Sequence, residues 1–126
     1  MDSLFRIAVK IPVKRGQDIP PFDFVPVLQR WIQKHSVPGT LIDVADYSHM
    51  HHGAGVILVA HEFNISIDYV DGQMGLLYNR KQPLDGGVEE NIRLCIKYAA
   101  MASEELQNEP EFKSKLEFDA SNLIVT

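Results

Sequence analysis

Apolar positions recur along the chain with two different periods, and the switches between them divide it into elements. Residues 4–13 (LFRIAVKIPV) alternate, with Phe5, Ile7, Val9 and Ile11 on one side and Leu4, Arg6, Ala8 and Lys10 on the other. Period two is the signature of a half-buried strand. Pro12 predicts that this strand ends at a sheet edge or leaves the sheet, and residues 14–21 (KRGQDIPP) read as a loop. Phe24, Val27, Leu28, Trp31, Ile32 and His35 then recur at helical spacing. They predict an amphipathic helix with Asp23 as N-cap, stopped by Val37-Pro38-Gly39. Trp31 on that stripe reads as a core anchor.

From residue 41 the period returns to two. Residues 41–46 predict a second strand, with Ile42 and Val44 on one face and Leu41, Asp43 and Ala45 on the other. Residues 47–55 (YSHMHHGAG) form a loop. Residues 56–60 (VILVA) are uninterrupted apolar, as in a central strand. Phe63, Ile65, Ile67 and Tyr69 alternate with Asn64, Ser66 and Asp68. Between these runs the chain must turn or bend at His61-Glu62, although neither Gly nor Pro marks a turn there. Asp71-Gly72 predicts a type I′ hairpin, and residues 74–80 (MGLLYNR) the returning strand.

A loop at 81–87 leads into a helix with Asp85 or Gly87 as N-cap and a stripe of Val88, Ile92, Cys95, Ile96, Ala99 and Leu106. Cys95 there reads as a small buried hydrophobe. Pro110 opens a short helix or turn pinned by Phe112 and Leu116, and residues 123–125 read as a last strand, paired with the sheet or with another subunit. The order β-α-β-β-β-β-α-β predicts a single α+β domain: a mostly antiparallel sheet with two main amphipathic helices packed on one face.

Composition narrows the function classes. At 126 residues the chain is long enough to bury a core. Its net charge of −5 argues against nucleic-acid binding, which needs clustered Lys and Arg. The single cysteine excludes an intrachain disulfide and fits a reducing compartment. No segment has the length of a membrane span or the pattern of a signal peptide. The expectation is a cytoplasmic protein without a membrane or nucleic-acid partner.

Candidate chemistry concentrates between residues 41 and 81. His49, His51 and His52 stand in one loop, and His61 precedes Glu62. Imidazoles suit a divalent metal, which needs three or four converging ligands. His49, His51 and His61 are the candidate metal ligands, with Asp46, Glu62 or Asp68 available to complete a set. Tyr47, Glu62, Asn64 and Asp68 are the candidate ligand-binding residues. No HExxH, CxxC or GxSxG motif is present, and His52-Gly53-Ala54-Gly55 runs into a strand where a dinucleotide fingerprint would open a helix. Adjacent strand residues point to opposite faces, so Glu62 with Asp68, or His61 with a loop histidine, are better acid–base pairings than His61 with Glu62. The histidine loop is also a candidate pH-sensitive surface.

The segments LIDVADYSH, GAGVILVAHE with Asn64 and Asp68 following, and GLLYNRK resemble a small family of uncharacterised bacterial proteins. The resemblance covers the middle third of the chain and implies a bacterial origin, but no activity or cofactor. Taken together, the residues favour a small accessory or ligand-binding protein that works by association, as a homodimer. The alternative is a metal-binding protein or enzyme that uses the histidine loop with Glu62 and Asp68.

Overall fold

A computed structural model describes residues 6–34, 39–47, 55–69 and 72–125, without the side chain of Tyr47. The architecture is α+β. The strands are β1 (Ile7–Arg15), β2 (Leu41–Tyr47), β3 (Gly55–Ala60), β4 (Phe63–Asp68), β5 (Gly75–Arg80), β6 (Glu117–Phe118) and β7 (Ile124–Val125). Helix α1 spans Phe24–Lys34 and α2 spans Val88–Gln107. The sheet runs in the order β2-β3-β4-β5-β1-β6, with β7 also paired to β1, and every pairing is antiparallel. No described helix is long and apolar enough to cross a membrane.

Register explains the two faces. Val9 pairs with Tyr78, Tyr78 with Ile65, and Ile65 with Leu58. Cross-strand partners share a face, so these residues form one buried layer with Ile7, Ile11, Val56, Ile67 and Leu76. Helix α1 lies on this layer against β2 and β3, and α2 against β1, β5 and β6. Trp31 is fully buried there, and its Nε1 donates to Glu109 Oε2 at 2.7 Å. Truncating such a residue to Ala typically costs about 3–5 kcal/mol. Arg30 binds Glu109, and grips Glu111 through two hydrogen bonds of 2.8 and 2.9 Å, clipping α1 to the turn after α2. Phe112 and Leu116 pin that turn from inside.

Several local expectations are corrected. Pro12 lies within a central strand, opposite Gly75 of β5. Its carbonyl accepts from Asp119 N, toward the β6–β7 side. A residue's N and C=O point the same way, so the missing N–H falls between the last β7 pair, at Lys10, and the first β6 pair, at Val13. Asp23 belongs to a 3₁₀ turn, Pro21–Asp23, rather than capping α1. A register shift between Leu41 and Asp43 breaks the alternation of β2. Leu41 and Val44 therefore both pack on the core, while Ile42 turns outward at 57% exposure. Val88, expected on the α2 stripe, is 75% exposed. The buried stripe is Asn91, Cys95, Ala99, Ala102, Ser103 and Leu106.

The connections differ as well. His61-Glu62 is a tight two-residue turn between β3 and β4. Neighbours on both sides hold it: His61 N donates to Thr40 O, while Lys81 N and Gln82 N donate to Glu62 O. The β4–β5 connection is six residues long, 69–74, rather than a two-residue hairpin. Gly72, at φ +75°, closes a turn with its N–H on Tyr69 O, and Asp71 lies outside the described residues. The last strand, β7, pairs with β1 of its own sheet.

Candidate functional site

Helices cover the inner face unevenly. The principal partners of α1 are β2 and β3, and those of α2 are β5, β1 and β6, so β4 is left without a helix of its own. A cavity of about 230 Å³ opens over β4 and β5 beside α2. Its floor is Phe63 and Ile65 of β4 with Tyr78 and Arg80 of β5. Tyr98, Met101 and Glu105 of α2 form one wall. They recur at i, i+3 and i+7, a second stripe beside the buried one. Leu84 closes one side, and Gly39 and Glu62 stand at the rim.

Arg80 is the unusual group. Leu76, Tyr78 and Arg80 alternate inward along β5, so the strand's register carries a guanidinium into the apolar layer. It is only 8% exposed. Nε donates to Gln82 O at 2.7 Å, one terminal nitrogen donates to Tyr78 Oη at 3.1 Å, and the cation lies 6.0 Å from the centre of the Phe63 ring. No carboxylate forms an ion pair with Arg80 among the described residues. A guanidinium carries five N–H donors, and two are used. A buried cation without a counter-charge is costly to maintain.

Aromatic rings surround it. Phe63 stacks on Tyr78 with centroids 5.1 Å apart, and Tyr78 sits 6.3 Å from Tyr98. Burial pushes the Tyr78 hydroxyl up to about 12, against the opposing influence of Arg80, so it stays a neutral phenol at physiological pH. Glu62 is fixed by Thr40: Oε1 accepts from the backbone N–H at 2.9 Å and Oε2 from Oγ1 at 3.0 Å. These bonds, led by the backbone one, hold its carboxyl below the usual range. A side chain on Gly39 would lie 2.5 Å from the Phe63 ring and 3.2 Å from Glu62 Oε1, at φ +130°. Glycine is thus required where the rim crosses Phe63.

Leu84 is held by a group the sequence reading overlooks. Asn91, buried in the first turn of α2, accepts from Leu84 N at 2.6 Å. Its Nδ2 lies 3.1, 3.3 and 2.9 Å from the carbonyls of Leu84, Gly86 and Gly87. An asparagine among helix-stripe positions, four residues after a Gly-Gly pair, is the available sequence signal. For Arg80 the signal is a charge in the inward register of a half-buried strand.

The expected site residues do not all meet. Glu62 is at the rim of the cavity. Asn64 and Asp68 point to the opposite face, together with Ser66. Six residue steps along β4 also separate Glu62 from Asp68, roughly 20 Å at the usual rise. Asp68 is only 4% exposed, and its Oδ1 lies 2.7 Å from Lys10 Nζ, which also donates to Gln73 O. Burial nevertheless raises the Asp68 carboxyl above its usual value, with Lys10 opposing. Asn64 faces Asn79 across the ladder, and the Oδ1 of each is buried without a hydrogen-bond partner.

His61 is exposed at the β3–β4 turn with its Nε2 3.0 Å from Gln82 Nε2. His49 and His51 lie outside the described residues. The residues bracketing that loop, Tyr47 and Gly55, pair at the opposite end of β3 from His61. Among the described residues no three His, Cys, Asp or Glu side chains converge as a metal requires. Family models, curated proteins and solved structures contain no match to the chain.

Proposed function

We propose that this protein is a small-molecule binding protein whose ligand enters the cavity between the sheet and α2 and presents an acidic group to Arg80. The observation that carries this reading is the buried guanidinium. It has three N–H donors left over and no carboxylate partner among the described residues, and it lies at the floor of an aromatic cavity. Concave sites with apolar walls and a few convergent polar groups are the usual form of ligand pockets. Arginine and the Tyr78 phenol together suit a planar carboxylate. The volume, below the roughly 300–1,000 Å³ of drug-sized pockets, suits a molecule of amino-acid size.

The test is titration of the protein with 3-phenylpropanoate and 4-methylpentanoate, followed by amide chemical shifts. Shifts localised to Phe63, Tyr78, Arg80 and Tyr98, with a Kd between about 1 μM and 1 mM, are expected. Arg80→Met should abolish them while leaving the melting temperature equal or higher, because it removes an unpaired buried charge. Undiminished binding by Arg80→Met, or no localised shifts from these acids or from phenylalanine and leucine up to several times 1 mM, a free energy weaker than about −4 kcal/mol, would overturn the proposal.

A further inference from the structure

The charges around the cavity narrow the ligand further, on the reading that the cavity binds one. Arg80 is deep and nearly inaccessible, whereas Glu105 is exposed and Glu62 half-buried. One cation at the floor and two carboxylates toward the mouth leave the lining with a net negative charge. A simple carboxylate would have to pass and then sit beneath two like charges. Glu105 makes no ion pair or hydrogen bond among the described residues. Glu62 spends one lone pair of each oxygen on Thr40 and keeps acceptor capacity, since a carboxylate offers about four such positions. Both acids are therefore available to a donor on the ligand.

We infer that the ligand is a zwitterion of amino-acid size, with its carboxylate on Arg80 and Tyr78, its ammonium toward Glu105 and Glu62, and its apolar body against Phe63, Tyr98 and Met101. The polarity of the site matches this order. Guanidinium and phenol donors lie at the buried end and two carboxylates at the more exposed end, with the Phe63 and Tyr98 rings and the exposed Met101 beside them to receive the side chain that branches from the carbon bearing both charges. Met101 suits a variable side chain, because methionine is flexible and polarisable. A ligand with both charges gains at both ends, whereas its deaminated or decarboxylated analogue leaves one set of protein charges desolvated and unpaired.

The experiment compares phenylalanine and leucine with their deaminated acids (3-phenylpropanoate, 4-methylpentanoate) and their decarboxylated amines (2-phenylethylamine, isoamylamine). Wild type and Glu105→Gln are each titrated by calorimetry. At least one amino acid should bind tenfold or more tighter than both of its analogues. Glu105→Gln, at an exposed position, should keep its melting temperature and erase most of that advantage, with the acid bound as well as before or better. Acids that equal or exceed the amino acids would overturn the zwitterion and leave the binding reading standing. Amines that bind best, or no binding by any of the six probes, would overturn both. An amino-acid preference unchanged by Glu105→Gln would overturn the assignment of the ammonium position.

Discussion

Asn91→Ala offers the sharpest measurement of how the cavity wall is built. The side chain accepts one hydrogen bond, from Leu84 N, and its two amide hydrogens can serve two of the three carbonyls within reach at any moment. Three simultaneous bonds at a net 0.5–1.5 kcal/mol each would give about 1.5–4.5 kcal/mol. The loop backbone regains water once the amide is gone, which places the expected loss near the lower half, about 2 kcal/mol. For a domain of this size that is a fall of about 8 °C in melting temperature. Urea denaturation should show a lower midpoint at unchanged slope. Amide exchange gives the local readout: Leu84 N–H should be protected in the wild type and should exchange much faster in the variant. Asn91→Asp separates donor from acceptor. It keeps an oxygen for Leu84 N but sets a carboxylate oxygen against carbonyls, so it should be less stable than Ala at neutral pH. Its folded-state pKa would be raised, so the penalty should shrink as pH falls through that value. A loss for Asn91→Ala within about 0.5 kcal/mol, the range of ordinary surface changes, would refute the reasoning.

Further expectations follow from other parts of the fold. Gly55→Ala forces a side chain into the left-handed region at φ +68° with its Cβ 1.8 Å from Ile67 O, so a loss on the order of 3 kcal/mol is expected; a melting temperature unchanged from wild type would contradict the register of β3 on β4. Cys95 is fully buried, with its thiol pushed above the usual value by burial, and should react with a chromogenic disulfide only as fast as the protein opens; rapid stoichiometric labelling in native buffer would refute its placement. The hydrogen bonds from Arg30 bring the Glu111 carboxyl down to about 2. Its contribution to stability is present above the unfolded value near 4.5 and is lost as pH falls toward 2. The pair is solvent-exposed, so the contribution is at most about 1 kcal/mol. Arg30→Met should flatten the urea midpoint between those two pH values, and an unaltered slope there would dismiss the pair as a source of acid sensitivity.

The longer strands and both helices were legible because most of them hold one pattern over enough residues to be read locally, whereas β6, two residues long, carries no period and was not anticipated. The details that were not legible depend on partners distant in sequence. Ile42 sits outside because a bulge shifts β2 against β3, and only the pairing shows it. His61-Glu62 turns without Gly or Pro because Thr40 on one flank and residues 81–82 on the other supply its hydrogen bonds. The polar set Asn64, Ser66 and Asp68 was visible as a face, yet it lies on the side away from the helices. The cavity needed two facts at once, the inward register of Arg80 and the rotation at which α2 docks. That rotation takes Val88 off the stripe and turns Tyr98, Met101 and Glu105 toward β4. Of the expected site residues whose side chains are described, Glu62 alone lines the cavity.

The placement of β1 has a consequence for how the chain is made. Strands β2 to β5 form a meander in which each strand pairs with its immediate successor, so this part closes by short loops. By contrast, Val9 pairs with Tyr78 on one side and Val125 on the other. An emerging chain therefore carries β1 as an unpaired strand with one apolar face until β5 has been synthesised, and its second edge stays bare until β6 and β7 follow. Non-local pairing is slow, and exposed strand edges recruit other chains. The interval between these two events is the period of greatest exposure to aggregation, and the last nine residues of the described chain, 117–125, act in effect as a closing clasp.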